Sequence, residues 1–198
     1  MSLSSSLQLP QSIRLIGQIR AVPAATTTLA VLGGTAWVAA LSQVAIPLGF
    51  TPVPLSLGTL AVLSVGAMLG TKRAVASLLL FLVIGLAGAP VFVGGGSGAL
   101  PTLGYAFGYV AAAALVGRLA RGNAAQRWPA ALGAMALGSV VIYLFGVPYL
   151  AVVADLSLVQ AVQLGLVPFL LGDLIKALAA ATVTRSPKLV NRAALEQS

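Results

Sequence analysis

A chain of 198 residues that is 59% hydrophobic and only 7% charged cannot clothe itself in a polar surface, since a soluble domain carries about 25% charged residues. The composition excludes a water-soluble fold and predicts an all-α integral membrane protein with several spans. With no cysteine and no histidine, it also excludes thiolate chemistry, disulfides, His-ligated metals and His-based catalytic sets. The formal net charge of +8 does not imply a nucleic-acid partner, because basic and aromatic residues are not interleaved on any polar face.

Residues 1–22 read as a cytoplasmic N-terminal segment. In it Ile13, Ile16 and Ile19, with Arg14 and Arg20 beside them, suit either a short surface helix or an irregular tail. The start Met1-Ser-Leu-Ser-Ser-Ser has no basic region leading into an apolar core, so the first span is expected to direct insertion itself. That span runs roughly from Thr26 to Ile46. Its Ala30/Gly34 and Ala36/Ala40 pairs, each four residues apart, place small side chains in rows that let another helix approach closely. Such rows serve either packing within the bundle or docking of a second protein.

Pro47-Leu-Gly-Phe-Thr-Pro-Val-Pro54 follows, an uncharged stretch whose three prolines predict a rigid connector. A second span from about Leu55 to Gly70 ends at Lys72-Arg73, and a third from Ala74 stops near Ala89-Pro90. After the loop Gly94-Gly-Gly-Ser-Gly98, a fourth span covers about Thr102 to Gly117, and a fifth runs from Trp128 to about Phe145. The stretch from Leu156 to Thr184 is longer than the ~20 residues one crossing needs. It divides into a short outer helix at Ser157–Leu166 and a final span from Pro168, a residue suited to a first helical turn.

Six spans within a single membrane domain (residues 23–185), followed by a cytoplasmic tail (186–198), give a charge pattern. Arg14, Arg20, Lys72, Arg73, Arg118, Arg121, Arg127, Arg185, Lys188 and Arg192 fall on one side when the spans alternate, and Lys176 is the exception. The positive-inside rule then puts both termini in the cytoplasm of a protein of the plasma (inner) membrane. The positive charge belongs to that face and its anionic lipids.

Asp173 and Lys176 lie three residues apart inside the last apolar segment, on one helix face. A charge in a membrane costs roughly 2.5–3.5 kcal/mol on insertion scales and marks a functional-site hypothesis. Two readings stand: an ion pair tying the last span to a neighbour, or a binding site in an outward-opening cavity beneath the proline and glycine connectors. In the second, the carboxylate accepts from N–H donors and the ammonium pairs with a carboxylate, so the ligand has an amide-like head and an acidic tail. No cofactor and no enzyme activity are expected. The segment Gly66-Ala-Met-Leu-Gly70-Thr-Lys72 misses the P-loop spacing, and no Gly-x-Ser-x-Gly elbow is present.

Three segments carry a resemblance to a known family: Ile46-Pro-Leu-Gly-Phe-Thr-Pro-Val-Pro-Leu-Ser-Leu57; Gly88-Ala-Pro-Val-Phe-Val-Gly-Gly-Gly-Ser-Gly98 with Pro101-Thr-Leu-Gly-Tyr105; and Pro168-Phe-Leu-Leu-Gly-Asp-Leu-Ile-Lys176. In this order and spacing the chain resembles the BioY proteins, the biotin-binding S components of energy-coupling factor (ECF) vitamin transporters. The resemblance implies a bundle of six helices with the vitamin site near the outer face. Asp173 would bind the ureido head of biotin and Lys176 its valerate carboxylate. Phe92, Gly95, Tyr105, Thr51 and Leu57 would complete the substrate site, with Gly94–Gly98 closing as a lid. Ala36 and Ala40 would dock a transmembrane coupling subunit driven by two ATP-hydrolysing subunits. Two positions depart from the family pattern: Gly58 stands where Gln often follows Ser-Leu, and Leu100 where Gly usually precedes Pro-Thr. Alternatives are an S component for another carboxylate-bearing vitamin, and an autonomous proton-coupled carrier working through Asp173.

Overall fold

The computed structural model describes residues 24–121 and 128–182. The expectations for residues 1–22 and 186–198, and for Arg127, Arg185, Lys188 and Arg192, lie outside them. Four helices are long and apolar enough to cross a membrane: Ala24–Gln43, Gly58–Leu86, Trp128–Val153 and Leu158–Thr182, with Leu103–Leu119 shorter. Their outer surfaces carry Leu29, Leu32, Val83, Leu144, Val152, Leu171 and Ile175, all largely exposed. Many large apolar groups point outward and most of the polar ones inward, as expected where lipid rather than water surrounds the bundle.

Helix α1 (Ala24–Gln43) buries Gly34, Thr35, Val38 and Ser42 along one face. The chain leaves it as predicted, through the proline connector, whose ends pair in a two-residue antiparallel ladder. There β1 (Ala45–Ile46) sits against β2 (Leu55–Ser56) in the register Ala45↔Ser56.

The next helix, α2, runs from Gly58 to Leu86, 29 residues interrupted at Gly70 (φ 71°, ψ 169°). Trp37 Nε1 of α1 donates to Ser64 Oγ, and Thr35 Oγ1, half a turn earlier, donates to the Ser77 carbonyl. In a straight helix Ser64 and Ser77 would be about 20 Å apart, so α2 doubles back at Gly70. The two segments expected at 55–70 and 74–89 are therefore joined by a single glycine, and the Lys72-Arg73 connector is corrected: both residues are already helical. Glycine is required at the reversal because φ is positive. Gly117 of α3 (Leu103–Leu119) makes room for it, since a Cβ there would lie 2.6 Å from the Thr71 amide nitrogen.

Helix α4 (Trp128–Val153) crosses α3 closely, the Gly108 Cα lying against the Ile142 backbone. It passes the expected end near Phe145 and continues through Pro148. A helix surrounded by other helices tolerates the lost N–H of proline. Helix α5 (Leu158–Gly165) is short and amphipathic, and is started by a capping box. Ser157 Oγ accepts from the Gln160 amide, and the Gln160 side chain accepts from the Ser157 amide. A 3-10 turn at Val167–Phe169 containing Pro168 leads into the last helix, α6 (residues 170–182).

The irregular segments between α1 and α2, α2 and α3, and α4 and α6 gather at one end of the bundle. At the other end Arg121 lies over Gly70, 3.1 Å from where a Cβ would stand; Lys72 and Arg73 follow Gly70 in sequence, and Arg118 lies one turn before Arg121. Replacing Gly70 by Ala should lower stability in detergent by about 1–3 kcal/mol, whereas Gly133→Ala, in open space within α4, should leave the thermal midpoint unchanged or slightly raised.

Candidate functional site

Asp173 and Lys176 stand in the first two turns of α6, almost fully buried. Lys176 Nζ donates to Asp173 Oδ1 at 2.9 Å. The other carboxylate oxygen, Oδ2, accepts a short hydrogen bond from the Tyr143 hydroxyl of α4. The position near the start of α6 adds the favourable end of the helix dipole to the carboxylate. The charges thus satisfy each other on one helix and do not tie α6 to a neighbour. The link to α4 runs through the neutral Tyr143.

Beside this pair lies a cavity of about 670 Å³, including the part that opens to solvent. Its wall draws Ser42 from α1, Val53, Pro54 and Ser56 from the connector, and Thr59 and Phe81 from the two halves of α2. Phe92 and Val93 come from the glycine loop, Tyr105 and Tyr109 from α3, and Gly165 and Phe169 from the stretch between α5 and α6.

Each side chain is fixed from behind. Tyr105 donates to the Gly165 carbonyl at 2.8 Å and meets the Tyr143 ring edge to face, with centroids 6.2 Å apart. Phe92 covers the bare Cα of Gly85 and packs edge-on to Phe81 at 5.4 Å. Gln43, the last residue of α1, donates to the carbonyls of Val91 and Phe92 and holds the glycine loop to the bundle.

Of the seven expected substrate-binding residues, Asp173, Lys176, Phe92 and Tyr105 line the cavity. Thr51, Leu57 and Gly95 do not. Thr51 Oγ1 donates to the Leu164 carbonyl at 2.8 Å, fastening the connector to the end of α5. The Leu57 amide donates to the Val44 carbonyl at the start of α2. Gly95 turns through the glycine loop at φ 79°, with a Cβ position 3.8 Å from Gln43 Oε1. The two small-residue rows of α1 also separate. Gly34 packs on Ser77 and Leu69 within the bundle, whereas Ala36 and Ala40 are exposed on its outer side.

Sequence reasoning missed Tyr143, Tyr109, Thr59 and Ser42. A signal existed for Tyr143, since a lone phenol in an apolar span needs a buried partner, and Asp173 is the nearest acceptor the bundle offers. The two departures from the family pattern also acquire physical surroundings. Leu100 fills the space left by the missing side chain of Gly96, and a Cβ on Gly58 would lie 2.8 Å from the Tyr109 hydroxyl.

An apolar helical bundle holding a buried Asp–Lys pair in the wall of a cavity defines a multi-pass membrane protein built to bind a small molecule. The chain belongs to the BioY family, which it matches over residues 13–193. The biotin transporter BioY of Rhizobium etli is 37% identical over 152 residues, covering 71% of this chain and 81% of that protein. That of Thermotoga maritima is 36% identical over 154 residues, 75% of this chain and 88% of that one. The fold is similar to the crystal structure of the S-component for biotin from an ECF-type ABC transporter. There the TM-score is 0.73 at 25% identity, covering 91% of this chain and 95% of that one.

Removing one member of a buried pair strands the other charge, at about 3–5 kcal/mol, whereas replacing both by apolar groups is often neutral. Lys176→Met should therefore lower the unfolding midpoint in detergent markedly, and Asp173→Leu with Lys176→Met should restore most of it.

Proposed function

We propose that this protein captures biotin from outside the cell and serves its uptake as the S component of an ECF transporter. The observation that carries the reading is the side-by-side carboxylate and ammonium, buried in the wall of a cavity beneath the connectors. The names of its relatives support the same ligand.

In the empty site the pair is closed on itself. Lys176 spends one of its three N–H donors on Asp173. A ureido N–H arriving from the ligand replaces that donor on the carboxylate. The ammonium, on a flexible four-carbon stem, then swings to the valerate carboxylate. Each charge exchanges one partner for another, so binding leaves neither unpaired. A proton carrier is a poorer use of Asp173, because both carboxylate oxygens are already engaged, one by Tyr143 and one by Lys176.

The bundle is read as six spans with both termini cytoplasmic in the plasma membrane. The doubling back at Gly70 and the basic residues at the end opposite the cavity support this. The loop at Gly94–Gly98, tethered by Gln43, is read as the lid. The exposed Ala36/Ala40 row is read as the face that docks a transmembrane coupling subunit. That subunit is driven in turn by two ATPase subunits, and this chain has no catalytic role.

Titration of the purified protein with labelled biotin tests the reading. Asp173→Asn and Lys176→Ala should each lose most binding, on the order of 100-fold or more given the 2–5 kcal/mol of a buried charge contact, while still inserting and purifying. Wild-type affinity in both variants would overturn it.

A further inference from the structure

Among the described residues, two buried side-chain hydroxyls lack a hydrogen-bond partner, those of Ser42 and Ser139. They differ in where they stand. Ser139 is away from the cavity, whereas Ser42 is 2% exposed and forms part of its wall. A buried, unpartnered hydroxyl is unfavourable; one carried by a residue of the cavity wall has an evident way to be satisfied.

Ser42 is not isolated. A Cβ placed on Gly58 would lie 2.8 Å from Tyr109 Oη, 3.1 Å from Ser42 Oγ and 3.3 Å from Ser56 Oγ, so three hydroxyls converge on this glycine. The Gly58 amide donates to Ser56 Oγ. The cluster is rich in O–H donors and carries no charge of its own.

We infer that Ser42, supported by Tyr109 and exposed by the missing side chain of Gly58, donates to the carbonyl oxygen of the ureido ring and acts as a specificity-determining residue. A cyclic urea presents N–H donors beside one strongly accepting oxygen. Asp173 supplies an acceptor for an N–H but nothing for that oxygen. Neutral hydroxyls fit a carbonyl better than they fit a carboxylate, whose charge they would leave uncompensated. The inference rests on the reading of the cavity as a biotin site.

The test compares three probes on Ser42→Ala and on Gly58→Ala, each first checked for an unchanged thermal midpoint. The probes are biotin, its carboxamide, and 2-thiobiotin, in which sulfur, a weak acceptor, replaces the ureido oxygen. Ser42→Ala should weaken biotin and the carboxamide alike by about 10-fold, and 2-thiobiotin by less than about 3-fold. Gly58→Ala, whose new methyl group crowds the same hydroxyls, should show the same selectivity. Equal loss on all three probes, a loss that disappears with the carboxamide, or no loss at all would overturn the assignment. Failure of the wild-type protein to bind biotin would instead sink the reading of the site, and this inference with it.

Discussion

Two opposite charges held in contact inside an apolar bundle are the constraint on which the rest of this structure depends. Their attraction is large only because water is scarce around them, and the same scarcity makes either one alone very unfavourable. Placing them three residues apart on α6 gives a pair that closes within one turn and needs no help from a distant element. Tyr143 then takes the remaining carboxylate oxygen, so the empty site is satisfied on the Asp173 side. On the Lys176 side, donors stay available. The site is thus stable without ligand yet chemically incomplete, which is what a capture protein requires.

The bundle is arranged to keep that pair in low dielectric while leaving it reachable. Regular helix surrounds it on the lipid-facing sides. The irregular segments between α1 and α2, α2 and α3, and α4 and α6 gather at the end where the cavity opens, in keeping with the rule that non-helical chain at membrane depth lines a cavity or is buried in protein. Those irregular stretches are anchored through their carbonyls. Thr51 and Tyr105 take up the Leu164 and Gly165 carbonyls at the end of α5, and Gln43 takes those of Val91 and Phe92. Few such bonds need break for the cover of the cavity to move as a unit.

Much of this was legible in the residues. The membrane class followed from composition, and Asp173 and Lys176 announced themselves as charges where none should be. Phe92 and Tyr105 came with the motifs that carry the family resemblance. What stayed hidden has a common cause: the helices are apolar on every face, so no periodic stripe reveals which side turns inward. Thr59 and Ser42 look like ordinary small polar residues at span ends until the reversal at Gly70 brings both halves of α2 to one cavity. The same reversal was misplaced at Lys72-Arg73 because charge draws the eye to a boundary that backbone geometry sets two residues earlier. Thr51 and Leu57 lie in a motif shared with the family, yet they fasten the connector rather than line the wall. A motif marks a region and not the direction of each side chain.

The central claim is that this charge pair faces a cavity open to the outside, which the vitamin fills. The natural chain has no cysteine, so a single Val93→Cys at the cavity wall reports on that space alone. Its labelling by a membrane-impermeant maleimide in right-side-out vesicles, with and without biotin, is the most direct measurement. The account predicts rapid labelling from outside, strong protection by biotin, and loss of that protection when Asp173→Asn is added. Labelling that requires permeabilised vesicles, or that is indifferent to biotin, would contradict it.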